Sequence, residues 1–437
     1  MSARPAWMDA LRGALEKHAK VAAWRIQRVT ASDRQTYLVK TEPESQRHTA
    51  GETVTLTVFV RGGGTLGSAA ITLRPEERPR FDARIDEAVF MASLGGETPW
   101  SLPGPGDGAD VALADPALGD AAARATAKDI TERWRAAVAE STNARPSSME
   151  LFCATSTVSL ETSTGFSASY DATRLSLLTI MLARSGGREA ESVSWEERRR
   201  AADLEVARIV KDAADEAFDI TRAELPPSGS YPVLIDARNM GAVFGPLQAN
   251  AGAQSLYGRS SRLTVGERLP MEGDGGDPIT MISNATLPYG LASYAFDADG
   301  IPGQRVEIVK DGVFVRPWAT KQYADYLGVE PTGAWGNLEL PAGTRTLADL
   351  SAGDGPVLLV RAFSWLNPDQ ARGDFASEVR VGYLYRNGRR TPVKGGTVSG
   401  NLFKALGAAR FASELVSRGS YSGPAAVRFE GMSVAGA

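Results

Sequence analysis

The chain has 437 residues, with 48 Lys and Arg against 52 Asp and Glu for a formal net charge of −4, a balance that offers no global attraction to nucleic acid or to an anionic membrane. Hydrophobic residues make up 43% and include eight Trp, enough material for about two or three packed domains. Two histidines and one cysteine leave no pair for an intramolecular disulfide and few soft ligands for a metal.

Met1 to Lys20 mixes charged with apolar residues and lacks the apolar core of a signal peptide. No apolar run reaches the length of a bilayer span, so a cytoplasmic protein without membrane contact is expected. Trp7, Leu11, Leu15, His18 and Ala22 recur at three and four residues and predict an amphipathic helix. Leu38, then Val54, Leu56, Val58 and Val60, alternate with polar neighbours as a half-buried strand does, and Gly62-Gly63-Gly64 turns that strand toward a partner at Ala69 to Leu73. Phe81, Ile85, Ala88 and Val89 restart the helical period, Pro103 to Gly108 reads as a loop, and a third helix is predicted from about Asp120 to Glu140.

Short strands at Leu151 to Cys153 and Val158 to Leu160 precede a turn at Ser163-Thr164-Gly165, and strand character continues through Leu175 to Leu182. Ser194-Trp195-Glu196-Glu197 has the form of a capping box and predicts a long helix to about Phe218. Pro226-Pro227-Ser228-Gly229-Ser230 then marks a boundary between an N-terminal α+β domain, 1–225, and a β-rich antiparallel C-terminal domain, 226–437. Within the second domain, Asp311-Gly312 joins Val306 to Lys310 with Val313 to Val315, and Asn387-Gly388 joins Val379 to Arg386 with Arg389 to Val393; both are two-residue hairpin turns suited to positive φ. Short helices are expected near Gln322 to Leu327 and Asn401 to Leu406. The fold class is therefore α+β.

Few side chains suggest chemistry. His18 falls on the apolar stripe of the first helix, where a packed histidine is the expectation, and His48 is expected in a surface loop. No Gly-x-Ser-x-Gly elbow occurs. Cys153 sits in a strand and reads as a small buried apolar residue. Asp297-Ala298-Asp299-Gly300 opens like a calcium loop but lacks the later Glu and meets Pro302, so it reads as a turn before a strand. Arg198-Arg199-Arg200, among Glu196, Glu197, Asp203 and Glu205, reads as a solvated helical face. Arg386, Arg389 and Arg390 flank a hairpin turn and are a weak signal for an acidic partner or peptide.

Several blocks in order resemble one family. Thr162 to Phe166 with Ser169-Tyr170 resembles the asparagine-glycine strand segment of the TldD/PmbA proteins, described as modulators of DNA gyrase and as peptidase subunits, and the helix expected over Glu196 to Ala217 resembles the one that follows it. Asp299 to Arg305 resembles that family's "DDEGVPAQ" stretch, Gly373-Asp374-Phe375-Ala376 its "GDFS", Gly396 to Leu402 its "ITIAGNL", and Glu430 to Gly436 the closing segment of the PmbA (TldE) branch.

In the TldD branch a "VLLHEAVGH" segment supplies two zinc-binding histidines and a glutamate base, completed by a downstream cysteine. The stretch Val233 to Gly241 is similar to it, anchored by the later Gly258 and Val265-Gly266-Glu267; Asp236 stands for the first histidine, Ala237 for the glutamate and Gly241 for the second histidine, and Ser420 to Ala437 contains no cysteine. A lone Asp236 lacks both partner ligands and a base to activate water. The resemblance thus implies the metal-free PmbA/TldE-like half of a heterodimeric zinc metallopeptidase, with no catalytic, metal or cofactor-binding residue of its own and zinc carried by a TldD-like catalytic partner. Its implied substrate is an extended peptide, unfolded or modified, such as the leader of a peptide natural product. Hairpin edges suit such a peptide, which adds as a strand, and Phe363 to Asn367 is a candidate to touch it. A stand-alone peptide-binding or scaffold homodimer without protease activity is the alternative reading.

Overall fold

The computed structural model describes residues 5–119, 121–273 and 275–437. Strands β1 (Ala23–Val39), β2 (Glu42–Gly62), β3 (Thr65–Leu73), β4 (Arg145–Thr162), β5 (Ser167–Ser185) and β6 (Arg188–Arg198) form one antiparallel sheet in the order β3-β2-β1-β4-β5-β6. One face carries four helices: α1 (Ala6–Lys17), α2 (Phe81–Ser93), α3 (Ala123–Ala139) and α4 (Val206–Ile220). Even-numbered residues of β1 point to this face. Trp24 and Ile26 pack under α1 and α2 with Leu56 and Val58, whereas Leu38 packs with Met149, Leu151 and Leu177 under α3 and α4. Between the two helix pairs lie Thr30, Ser32, Arg34 and Thr36, all half-buried, so the middle of the sheet is roofed by neither pair.

The remaining strands belong to two further sheets. They are β7 (Gly229–Asp236), β8 (Met281–Asn284), β9 (Arg305–Lys310), β10 (Val313–Phe314), β11 (Asn337–Glu339), β12 (Val357–Phe363), β13 (Asp374–Arg386), β14 (Arg389–Val393), β15 (Thr397–Asn401), β16 (Arg410–Phe411), β17 (Leu415–Arg418), β18 (Tyr421–Pro424) and β19 (Ala426–Ala435). One sheet runs β12-β7-β19-β15-β13-β14, and β12 also pairs with β13, closing five strands into a ring. Val233, Ile235, Val360, Phe375 and Phe429 belong to the large core that joins this ring to its neighbour. The other sheet runs β10-β9-β8-β11-β18-β17. Helices α5 (Met240–Asn250), α6 (Ala253–Tyr257), α7 (Lys321–Leu327), α8 (Leu347–Ser351) and α9 (Leu402–Ala405) complete this half. Pairing is mostly antiparallel, as expected, with parallel pairs at β7–β12 and β11–β18.

Both hairpin turns form as read: Asp311 and Gly312 have φ of 47° and 80°, Asn387 and Gly388 of 54° and 72°, the left-handed values a two-residue turn demands. Other readings are corrected. Arg188–Arg198 is a strand, and the helix is confined to Val206–Ile220. Ser192, Ser194 and Glu196 are buried on one side of β6, whereas Trp195 is 57% exposed on the other, so the capping-box letters fall on a period of two. The pieces Leu151 to Cys153 and Val158 to Leu160 are one strand, β4. His48 is not in a loop: the β1–β2 hairpin extends far beyond its apolar part and pairs His48 with Arg34. His18 lies just past α1 and its Nε2 is 3.1 Å from Asp86 Oδ1. The third helix begins at Ala123, and the predicted start at Asp120 lies outside the described residues. Cys153 is 2% exposed, and burial pushes its thiol up to about 12.

The two halves meet along a seam that is apolar at its centre and polar at its edges. Phe296 sits edge-on to Phe166 at 5.3 Å and to Tyr170 at 5.0 Å between ring centres. Arg199, read above as part of a solvated helical face, is instead a clamp: its guanidinium donates to the carbonyls of Gly290 (2.8 Å), Leu291 and Ser293 (both 3.0 Å) and Thr173 (3.2 Å). Arg25 reaches from β1 to the Asp299 carboxylate and the Ala298 carbonyl. Beside it, buried Asp297 accepts backbone N–H groups of Asp299, Ile301 and Ala334. The Asp297-to-Gly300 stretch is thus a turn, as read.

Replacing Arg199 with Ala removes the side-chain donor from four carbonyls at the seam, leaving those of Leu291 and Ser293 to find water, and is expected to lower unfolding free energy by about 3 kcal/mol in urea titration. A second expectation concerns pH. Burial and then the Asp299 charge raise the Asp297 carboxyl from 3.8 to about 6, against its N–H donors. The folded chain therefore holds more protons than the unfolded chain across that window, and stability falls as pH rises through it, by up to about 3 kcal/mol. Asp297→Asn should flatten this slope in chemical denaturation at successive pH values.

Candidate functional site

Helix α4 has two faces of different chemistry. Val206, Ile209, Val210, Ala213 and Ala217 recur at helical spacing and are buried in the core shared with α3 and the N-terminal sheet. Glu216 and Asp219 are also buried, and each has partners in both halves of the chain, Asp219 pairing with Arg222 of its own half at 2.5 Å. A carboxylate removed from water needs cations or hydrogen-bond donors around it, and Glu216 has both. Arg238 donates to its two oxygens at 2.7 and 3.1 Å, Arg361 at 3.0 Å and the Ser192 hydroxyl at 3.2 Å. Asp219 accepts from the Tyr383 hydroxyl at 3.0 Å and faces Arg390 at 3.4 Å.

Arg238 lies in the strand-to-helix connection that resembles the family's metal motif. Strand β7 ends at Asp236, a short 3-10 turn spans Ala237–Asn239, and α5 begins at Met240. Asp236 closes the turn by accepting the Arg238 backbone N–H at 2.9 Å. Its other oxygen lies 3.4 Å from an Arg361 nitrogen. Next to this group, Glu196 of β6 pairs with Arg418 at 2.6 Å and Arg198 at 3.1 Å. Three carboxylates thus interleave with four guanidiniums across the junction of the two halves. Burial alone lifts the Glu216 carboxyl; Arg238 and Arg361 outweigh it and hold the group below its ordinary 4.5. The Nε groups of Arg238 and Arg361 are buried without an acceptor, so the cluster has cation donors to spare.

Of the three positions singled out from sequence, Asp236, Ala237 and Gly241 do occupy one strand-turn-helix. Ala426 of β19 pairs directly with Asp236, and Ala237 donates its N–H to the Ala425 carbonyl at 2.9 Å. A Cβ added at Gly241 would meet nothing within 4 Å. The donors are unsuitable for zinc: Asp236 is engaged by its own turn and by Arg361, Ala237 offers no base, and two guanidiniums repel a dication. Among the described residues no group of three or more His, Cys, Asp or Glu is placed to hold a metal. Phe363 is buried, whereas Trp365 is 76% exposed at the start of the loop that returns to α5, where Asn250 donates to the Gln370 carbonyl at 2.9 Å. Arg386, Arg389 and Arg390 are all exposed, with the Arg390 guanidinium lying over the Tyr383 ring 3.4 Å from Asp219.

Glu216, Arg361 and Arg418 were not found from the sequence. The available signal was two carboxylates, at 216 and 219, within an otherwise apolar helical stripe; acids at such positions imply buried cations elsewhere.

The closed β ring and the strand-turn-helix that follows β7 give the C-terminal half of this α+β chain the architecture of a metallopeptidase-family C-terminal domain. Residues 228–436 match the family described as PmbA/TldA metallopeptidase C-terminal domain, and the similarity to that family covers the C-terminal half of the chain. It is 30% identical over 230 residues to a metalloprotease of Synechocystis, covering 48% of each chain. To the metalloprotease PmbA of Escherichia coli O157:H7 it is 26% identical over 246 residues, 54% of this chain and 53% of that one. The chain spans about half the length of these relatives. In fold it is similar to the crystal structure of TldE from Thermococcus kodakarensis, with a TM-score of 0.82 at 18% identity over 98% of this chain and 100% of that one. No helix of the described residues is long and apolar enough to cross a membrane.

Glu216→Ala leaves Arg238 and Arg361 confronting each other and is expected to cost about 3 to 5 kcal/mol in urea unfolding. Because the folded pKa of this carboxyl is depressed, its contribution is full above the unfolded value and disappears as pH falls through the folded one. The difference between wild type and Glu216→Ala should therefore shrink on acidification below about pH 4.

Proposed function

We propose that this chain is the non-catalytic, metal-free subunit of a two-chain TldD/TldE-type zinc metallopeptidase acting on unfolded or modified small peptides. The observation that supports this most directly is the replacement of a metal-binding turn by an ion cluster: Asp236 among Arg238 and Arg361, with Ala237 and Gly241 at the positions a base and a second ligand would need. In this reading zinc belongs to a TldD-like partner, where it supplies the Lewis acid that polarises the amide and activates water. This chain completes the chamber. Its strand edges, such as that of β17 at the end of its sheet, offer main-chain hydrogen bonds to an extended peptide, giving affinity with little sequence preference. Folded proteins are excluded because only a peptide free of its own pairing fills such an edge.

Co-expression with a TldD-like protein should yield a stable complex by size-exclusion chromatography, with zinc retained by the partner and peptide cleavage by the complex alone. Stoichiometric zinc and amide hydrolysis by the isolated chain would refute the proposal. A homodimer that binds peptide and ignores every TldD-like chain offered to it would favour a scaffold role instead. The triple variant Asp236→His, Ala237→Glu, Gly241→His is expected to remain without stoichiometric zinc in equilibrium dialysis, since the flanking guanidiniums persist.

A further inference from the structure

We propose that the trough between the two helix pairs of the N-terminal sheet is a binding site for the acidic segment of an extended peptide, held by Arg34 and the basic side chains of α3. This goes beyond pairing with a catalytic subunit and does not require it.

The trough follows from strand register. Thr30, Ser32, Arg34 and Thr36 alternate on the helix-bearing face of β1; opposite them stand Ala50, His48 and Gln46 on β2 and Thr157, Thr155 and Cys153 on β4. Two cavities of about 550 Å³ each occupy successive stretches of this face. The first is lined by hydroxyls, among them Thr30, Ser32, Thr155, Thr157 and Thr173, and by the carboxylates of Asp115 and Asp171, so the acidic residues of the ligand belong in the second. The second is lined by Arg34, His48, Arg124, Lys128, Glu132 and Arg135. His48 Nε2 lies 3.0 Å from Ser32 Oγ where the two adjoin. From Thr30 to Thr36 the strand rises about 20 Å, the length of about six extended residues.

Charge sets the ligand class. Five cationic side chains, Arg47 together with Arg34, Arg124, Lys128 and Arg135, line the second cavity with one carboxylate, Glu132, in a chain that is acidic overall. The Arg34 Nε is buried with no acceptor. Arg124 makes no hydrogen bond or ion pair among the described residues. Lys128 is 3.7 Å from Glu132, with both side chains largely in water, a contact that holds neither firmly. Arg135 is fixed by two bonds to the Thr41 carbonyl, at 3.0 and 2.9 Å. The positions 124, 128 and 135 are spread over about 16 Å of helix and do not converge on a point. A single phosphate requires convergent donors; a row of carboxylates on an extended backbone matches a row of cations. The hydroxyl-lined cavity next to it suits the main-chain groups of the same peptide.

The test uses the purified full-length chain and a fluorescein-labelled peptide of about six residues ending in three glutamates, with a glutamine analogue as control. By fluorescence anisotropy the glutamate peptide should bind more tightly than the glutamine peptide, and its affinity should fall as NaCl is raised. Arg34→Ala and Arg124→Ala should each weaken it about tenfold with unchanged thermal unfolding, and Arg34→Lys should recover part of the loss. Equal binding of the two peptides, or unaltered affinity in both correctly folded Ala variants, overturns the proposal. So does tighter binding of inorganic phosphate than of the peptide, which would make this a compact-anion site. Because the measurement is made on the chain alone, absence of a TldD-like partner does not affect it.

Discussion

Glu216 belongs to a helix of the N-terminal half, and the guanidiniums that neutralise it belong to the C-terminal half. Removing a carboxylate from water costs several kcal/mol, which is recovered only where the partners are closely placed. That requirement fixes the position of α4 between the two cores and, through Arg238, the conformation of the turn after β7. The turn in turn orients Asp236 and the first residues of α5. The same constraint bears on chemistry, because a site built to hold two guanidiniums has a potential opposite to the one a zinc ion needs.

The rest of the seam follows a similar logic with different groups. Phe166, Tyr170 and Phe296 bury an apolar centre, and three carbonyls of the irregular stretch 290–293, which lies outside the strands, accept from a single side chain, Arg199, with that of Gly290 also accepting the Ser293 N–H. Planar, delocalised arginine serves both places because it donates in several directions at once and is less strongly hydrated than lysine. A chain that resembles a metallopeptidase thus joins its two halves largely through arginine.

Much of this architecture was legible in the sequence where local chemistry decides structure. The two positive-φ turns at Asp311-Gly312 and Asn387-Gly388 require particular residues, and both hairpins were read with the right turns, although β13 begins at Asp374 and not at Val379. Alternation of Val54 to Val60 marked the buried end of β2. What failed was the part of the long sheet where neither face is strongly apolar: a strand such as Glu42 to Thr53, polar on both sides, has no period to read, and its pairing comes from β1 alone. Ser194 to Glu197 was misread because one buried polar face and one exposed Trp195 mimic a helix start. At the candidate site the absence of ligands was visible as the identities of Asp236, Ala237 and Gly241. The ion cluster was not, since Glu216, Arg361 and Arg418 lie far apart in the chain and meet only after three sheets have assembled.

One small residue has a practical sequel. The lone thiol, Cys153, is sealed beneath α3 and α4 and kept protonated at neutral pH, so it resists both alkylation and oxidation. Any cysteine introduced on the outside is then the sole reactive sulfur, and spin or fluorescent probes attach to this chain without first engineering the native one away.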